Sequence, residues 1–182
     1  MEKIVKQTLL PTQKENKETD PNSLLIDIAK EKHIDKKWTD KPFFIIKILA
    51  NTSKGDLAEE FIVRYCKQLG FTLEDKATRL GDYDKVINGK RFEIKMATED
   101  VSGNFQFNHL RYDYKYDGVI CIGVSPDSIL FDIYSKGDLA TGKAGTLVSM
   151  GRGQNSSFKL TKSKASLKPI NRFKNSLADF IK

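Results

Sequence analysis

Cysteine, histidine and long apolar runs are scarce in this 182-residue chain, and each scarcity excludes a class of protein. The two cysteines, Cys66 and Cys121, form no C-x-x-C pair, so neither a disulfide framework nor a cysteine zinc site is supported. The two histidines, His33 and His109, are too few to favour a histidine zinc site. No apolar stretch approaches the roughly 20 residues of a membrane span, and the N-terminus lacks the apolar run of a secretory signal. We therefore expect a soluble, cytoplasmic protein with no membrane partner.

Acidic residues are outnumbered by basic ones, 24 against 31, which gives a formal net charge of +7. Such a surplus favours a polyanionic partner, because lysines and arginines that neutralise phosphates release condensed counterions. The surplus is concentrated in the C-terminal region 143–182, where Asp179 is the one acidic residue. We expect this region to face phosphates.

The length and the polar N-terminus define the expected domain organisation. A chain of this size can fill one compact domain, and 39% hydrophobic with 30% charged residues is an ordinary globular composition. Residues 1–21 are polar and contain Pro11 and Pro21, so we expect a flexible N-terminal arm followed by a single domain over residues 22–182.

Apolar spacing predicts where several helices lie. One helix is predicted to begin with Ser53 as its N-cap and to end at Gly70, and a closing helix is predicted within Ile170–Ile181. The apolar run Phe43–Leu49 fits either a helix or a strand. The segment Phe107–Tyr112 is predicted as a helix.

Strand signals surround the pair Asn88-Gly89. Asn-Gly between β-rich segments predicts a tight hairpin, which here joins Lys85–Ile87 to Arg91–Ala97. Two further strands, Gly118–Val124 and Ile129–Tyr134, flank a Ser-Pro-Asp turn. The order of these elements predicts an α/β domain with a mixed central sheet flanked by helices.

The second hairpin strand carries ionisable residues between apolar ones. Because side chains alternate across a strand, its apolar residues should enter the core while Glu93 and Lys95 share the other face. Asp84 precedes the neighbouring strand, and the tight turn should bring its carboxylate toward Glu93. Two carboxylates suit Mg²⁺, and a lysine beside them can orient water or balance charge on a phosphorane. We therefore expect Mg²⁺ bound by Asp84 and Glu93, with Lys95 as their catalytic partner.

Three motifs between Lys54 and Lys95 carry a family resemblance. Lys54-Gly55-Asp56-Leu57-Ala58-Glu59 is similar to the helix-opening K-G-x-x-A-E of resolvase-like nucleases. Asp84 leads into an apolar strand, and Phe92-Glu93-Ile94-Lys95 resembles an E-I-K motif. Together they resemble the PD-(D/E)xK nuclease superfamily of restriction endonucleases and Holliday-junction resolvases.

The resemblance implies a restriction endonuclease-like fold, with Glu59 as an acid of the active site on the first core helix. The proline that names the family is absent, since Tyr83 precedes Asp84. Asp82 therefore stays open as an alternative to Asp84, and Glu60 as an alternative to Glu59.

Polar residues downstream of the motif are candidates for contacts with double-stranded DNA. The loop Thr98–Phe107 should lie at the cleft, and amide side chains have the geometry that reads adenine. A glycine-containing segment, 149–157, can approach a ligand closely, and Arg152 there is the first candidate for reading guanine. The predicted DNA-contacting residues are Asn104, Gln106, Asn108, His109, Arg111, Arg152, Gln154 and Lys159.

The sequence as a whole predicts a type II restriction endonuclease that works as a homodimer. A twofold dimer is expected because one active site cuts one strand, whereas two related sites cut both strands of a palindrome. A Holliday-junction resolvase-like nuclease is the alternative within the same chemistry. A non-catalytic DNA-binding module is the alternative outside it, and in that case Glu93 and Lys95 would be solvated surface residues.

Overall fold

The computed structural model describes residues 20–33, 35–74, 81–111, 113–151 and 157–182. The chain divides into two compact units, residues 1–35 and 36–182. In the first unit the structure describes helix α1, Pro21–His33, and its apolar side chains from Leu24 to Ile28 are exposed. The predicted arm, residues 1–21, falls almost wholly outside the described residues and stays a prediction.

The second unit contains two sheets and their covering helices. The helices are α2 (Phe44–Ile48), α3 (Asn51–Leu69), α4 (Lys136–Ala140) and α5 (Phe173–Ile181). The strands are β1 (Leu73–Glu74), β2 (Lys85–Ile87), β3 (Lys90–Thr98), β4 (Asn104–Leu110), β5 (Gly118–Val124), β6 (Ile129–Ser135), β7 (Leu147–Ser149), β8 (Phe158–Ser163) and β9 (Lys168–Pro169). None of the helices in the described ranges has the length and apolarity of a membrane span.

The large sheet has six strands in the order β1-β2-β3-β5-β6-β9, and the small sheet has three in the order β4-β8-β7. In the large sheet β3 and β5 run parallel, and the other pairs are antiparallel. The small sheet is antiparallel throughout. The predicted α/β class with a mixed sheet is therefore confirmed.

The predicted hairpin between β2 and β3 is confirmed. Asn88 and Gly89 have φ values of 46° and 80°, and Ile87 pairs with Lys90 across them. Two consecutive residues in the left-handed region form the turn whose twist matches that of the strands it joins. Asn-Gly is the dipeptide that adopts this turn with least strain, so the sequence sets the register of β3 locally.

Strand β5 is buried along its whole length because both faces of the large sheet are covered. On one face, Phe92 of β3 and Ile120 of β5 pack in a cluster with Ile62 of α3 and Phe173 of α5. On the other face, Val119 and the small sheet's aromatic residues form a second cluster. The two clusters hold β3 between a helical layer and the small sheet.

Two local predictions were wrong. Helix α3 begins at Asn51, two residues before Ser53, and its N-cap residue Ala50 makes no side-chain capping bond. Its end at Gly70, with φ of 87°, is confirmed.

The segment predicted as a helix, Phe107–Tyr112, belongs largely to strand β4, because Phe105 and Phe107 alternate into the second cluster and pair with β8. The open run Phe43–Leu49 contains helix α2.

Candidate active site

A cleft of about 360 Å³ lies between α3, β3 and β4. Three of the four predicted catalytic residues, Glu59, Asp84 and Lys95, line it although they come from a helix, a turn and a strand. The lining comprises Asn51, Lys54, Gly55, Glu59, Asp84, Ile94, Lys95, Met96, Ala97, Thr98, Asp100, Gln106, Asn108 and His109.

Asp84 is held against β3 by two hydrogen bonds. Its backbone N–H donates to the carbonyl of Phe92 at 2.8 Å, and its carboxylate oxygen Oδ2 accepts from the backbone N–H of Ile94 at 2.7 Å. The β2–β3 register ends with the pair Lys85 and Phe92, and Asp84 directly precedes Lys85. Its two bonds are to the residues on either side of Glu93, so Asp84 is fixed to the segment of β3 that carries the E-x-K motif.

Glu93 is two residues before Lys95 on β3 and does not itself line the described cleft. The residue is 6% exposed, and its carboxylate forms an ion pair with the ammonium of Lys95, whose side chain is 23% exposed. A buried carboxylate is costly unless it is paired. The E-x-K motif is consequently not a solvated strand face, which was the premise of the non-catalytic alternative.

The two rival acids lie outside the described cleft lining. Glu60 forms an exposed ion pair with Arg64, with a distance of 2.6 Å between Oε1 and Nε. The hydrogen bond and charge of Asp117 raise the pKa of Arg91 most, and the charge of Asp82 raises it further. The geometry thus brings Glu59 and Asp84 together with Lys95, and leaves the other two acids outside.

Strand β4 forms the wall opposite the acids. Gln106 and Asn108 face the cleft because Phe105 and Phe107 alternate into the core. A register shift between Phe107 and Leu110 marks a β-bulge, where His109 adopts a left-handed φ of 60°. Bulges re-aim side chains, and this one brings His109 to the cleft next to Asn108.

Two polar contacts order this wall. The ring nitrogen Nδ1 of His109 lies 3.2 Å from Oγ of Ser157. The carboxylate of Asp100 accepts hydrogen bonds from the backbone N–H groups of Ser102 and Asn104, and the Asn104 bond is the main cause of a lowered Asp100 pKa. Asp100 lines the cleft but was missed in the sequence, although an aspartate two residues before a serine in a turn is a usual signal for such capping.

The predicted DNA-contacting residues divide into three groups. Gln106, Asn108 and His109 line the cleft. Among those not in its described lining, Arg111 forms an ion pair with Asp113, with Nε 2.8 Å from Oδ1, while Asn104 and Lys159 lie on β4 and β8. Arg152 and Gln154 fall outside the described residues.

The donor set at the cleft suits a hard cation. No group of three aspartate, glutamate, histidine or cysteine side chains poised to hold a metal occurs in the described parts of the chain. Mg²⁺, however, is usually bound by one or two carboxylates together with waters and substrate phosphates. Asp84 lines the cleft, and Glu93 lies in the segment of β3 to which Asp84 is hydrogen-bonded, so two carboxylates of the type that this cation prefers are present.

Comparison with known proteins gives a structural likeness but no match in sequence. No protein-family model matches the sequence, and no curated protein matches it. A bacterial homing endonuclease of known structure resembles the chain with a TM-score of 0.43 and 13% sequence identity, over 63% of this chain and 76% of the endonuclease. A likeness of this degree does not establish a shared activity.

Proposed function

We propose that this chain is a Mg²⁺-dependent DNA endonuclease. The observation that carries the proposal is the convergence of Glu59, Asp84 and Lys95 on one cleft, with the buried Glu93 forming an ion pair with Lys95. An ion pair of this kind, with its lysine in the lining of a cleft, has little value for stability relative to apolar packing. It has a clear use where a phosphate must be bound and attacked.

Each residue has a distinct task in this proposal. Asp84 and Glu93 would hold Mg²⁺, which when bound supplies an activated water and polarises a phosphate oxygen. Lys95 balances the negative charge that develops on the phosphate oxygens, which is the electrostatic help that counts most in such reactions. Glu59, on α3, is the helix acid of the site and would orient a water in the cleft.

The expected substrate is a specific site in double-stranded DNA, cut in the manner of a type II restriction enzyme. Gln106 and Asn108 support this, because their amides share the cleft with Lys95 and can pair with an adenine edge while a phosphate lies at the acids. Cleavage of both strands at a palindrome requires two active sites, so the enzyme should act as a homodimer.

The test is incubation of supercoiled plasmid with the purified protein in Mg²⁺, in Ca²⁺ and in chelator, followed by mapping of the ends. We expect discrete fragments with Mg²⁺, no cleavage in chelator, and binding without cleavage in Ca²⁺. Full cleavage in chelator would remove Asp84 and Glu93 from the role of metal ligands.

The same assay separates the related functions. Preferred cutting of a four-way junction over linear duplex would indicate a resolvase. Binding of duplex with no cleavage in Mg²⁺ or Mn²⁺ would indicate a DNA-binding module and contradict the proposal.

A further inference from the structure

Four lysines from separate elements converge beside the cleft. This lysine cluster consists of Lys37, in the turn Lys36–Trp38, Lys47 of α2, Lys54 of α3, and Lys164, in the turn after β8. Lys54 itself lines the cleft, as does Asp100, which follows Glu99 in the chain. The cluster therefore adjoins one wall of the candidate active site.

The polar interactions of the cluster are centred on Glu99. The ammonium groups of Lys37 and Lys164 lie 3.1 Å and 3.4 Å from the two carboxylate oxygens of Glu99. The ammonium of Lys47 donates to the main-chain carbonyl of Glu99 at 2.9 Å, and that of Lys54 donates to the carbonyl of Lys47 at 3.2 Å. These bonds connect Lys54, in the cleft lining, through Lys47 and Glu99 to Lys37 and Lys164.

Two of the four ammonium groups, those of Lys37 and Lys164, contact the buried carboxylate of Glu99, and the other two bind main-chain carbonyls. Glu99 is 7% exposed, whereas the side chains of Lys37 and Lys164 are 30% and 47% exposed, so solvent meets ammonium groups rather than the acid. The pKa of Lys54 is lowered, first by burial and then by the charge of Lys47. Crowded ammonium groups of this kind are stabilised when an anion binds among them.

Several lysines of the C-terminal region are arranged differently. Lys143 pairs with Asp138 at 3.4 Å, Lys168 with Asp132 at 2.9 Å, and Lys182 with Asp179 at 2.8 Å. Each of these cations stands beside a carboxylate of its own, so a phosphate would have to compete with that acid.

We propose that the lysine cluster binds the phosphates of duplex DNA where the duplex leaves the cleft. The inference rests on the proposed function, since it names the surface that the same substrate would use. It assigns the main electrostatic contact to residues in the turn before α2, in α2 and in α3, together with Lys164, rather than to the C-terminal region as a whole.

The experiment compares two double variants that remove equal charge. Lys47→Gln with Lys54→Gln removes two members of the cluster, and Lys168→Gln with Lys182→Gln is the matched control in the C-terminal region. Binding of a short fluorescent duplex is measured in chelator by anisotropy over a range of salt concentrations. The cluster variant should flatten the slope of log affinity against log salt by about 0.9 for each phosphate that is no longer neutralised, and the control should leave the slope unchanged.

A charge-conserving variant and a melting curve protect the experiment against misfolding. Lys47→Arg with Lys54→Arg should keep the slope of the wild type, and all variants should melt near its temperature. Equal flattening in the control, or an unchanged slope in the cluster variant, would overturn the inference. A wild type that binds no duplex would overturn it as well.

The outcomes separate this inference from the proposed function. A wild type that binds duplex through the cluster but never cuts would refute the nuclease and keep the surface. A wild type that cuts DNA while the cluster variant keeps its salt slope would refute the surface and keep the nuclease.

Discussion

The large and small sheets meet the same cleft in different ways. Lys95 stands on β3, which pairs with β2 on one side and β5 on the other and is packed on both faces. Gln106 and Asn108 stand on β4, an edge strand of the small sheet that is interrupted by a bulge. A fixed strand suits groups that must hold a reacting phosphate, whereas an edge strand can change its side chains at little cost to the core.

The largest effect on cleavage should come from substitution of Lys95, on strand β3 of the large sheet. Lys95→Ala should reduce cleavage by two to three orders of magnitude, roughly 3–4 kcal/mol in activation free energy, because an electrostatic partner of the reacting phosphate is removed. Binding of duplex should largely remain. Lys95→Gln, which keeps a hydrogen-bond donor toward the buried Glu93, guards against loss of the fold and should be equally inactive. Normal cleavage rates in either variant would contradict the assigned role.

Asp84 and Asp82 form a matched pair for testing which acid serves the site. Asp84→Asn should lower cleavage by about two orders of magnitude, as expected for loss of one charged group in the site, and Glu93→Gln should behave similarly. Asp82→Asn should be much milder, since Asp82 lies outside the described cleft lining. The measurement is the steady-state cleavage rate at saturating Mg²⁺. The reverse order of activities would mean that Asp82, rather than Asp84, is the acid of the site.

Glu99 lies in the segment that joins β3 of the large sheet to β4 of the small sheet, and it should make the stability of the protein depend on pH. Burial acts to raise its pKa, but the nearby Ser125 hydroxyl, the hydrogen bond from Lys37 and the charges of Lys37 and Lys164 bring it below the usual 4.5. A lowered folded-state pKa adds stability above about pH 4.5, and that stability is lost as the pH falls through the folded-state value.

Glu99→Gln should therefore lower the free energy of unfolding at pH 7 by about 1.5–3 kcal/mol, the range for a hydrogen bond to a charged group. Urea denaturation at a series of pH values from 3 to 7 should show the gap from the wild type closing below pH 4.5. A gap that stays constant with pH would contradict the assignment.

The edge strand should affect recognition more than chemistry. Gln106→Ala should weaken discrimination at one base pair by about 1–3 kcal/mol, because the amide that would pair with an adenine edge is removed. Asn104→Ala is the control, since Asn104 is an amide on the same strand outside the described lining. Cleavage of a library of single-base site variants gives the readout, and equal relaxation by both substitutions would argue against base reading by Gln106.

The smallest effect concerns the bulge in β4. His109→Val should lower the free energy of unfolding by about 1–2 kcal/mol, because a β-branched residue fits a left-handed φ poorly. His109→Gly should not, since glycine adopts that conformation readily. Thr161→Val, at an exposed position of β8, controls for the introduced side chain. Equal thermal stability of the two valine variants would mean that the backbone relaxes at position 109.

The large sheet could be predicted because its signals are local. Asn88-Gly89 sets the turn between β2 and β3, and apolar alternation through Phe92 and Ile94 orients Glu93 and Lys95 without reference to distant parts of the chain. The same locality brings Asp84 to β3, where its carboxylate accepts a hydrogen bond from the backbone N–H of Ile94. The roles given to these residues stay predictions until cleavage is measured.

The small sheet could not be predicted in the same way. Phe105 and Phe107 alternate as in a strand, but the alternation ends at the bulge, where His109 breaks the period of two. The apolar residues that follow then have a spacing that is also typical of a helix. Glu99 and its lysines escaped notice for a related reason, since Lys37, Lys47 and Lys164 belong to segments that meet only in the folded chain.

The hairpin between β2 and β3 also bears on how the site assembles during folding. Asp84 is hydrogen-bonded across this tight hairpin to the backbone of Phe92 and Ile94, so little loop-closure entropy opposes its approach to β3. The β4 wall depends on pairing of Phe107 with Leu160, far along the chain, and its loop is costlier to close. We expect Asp84 and Glu93 to be positioned before Gln106 and Asn108 of β4. The cleft would then acquire its proposed catalytic groups earlier in folding than the side chains proposed to read the DNA sequence.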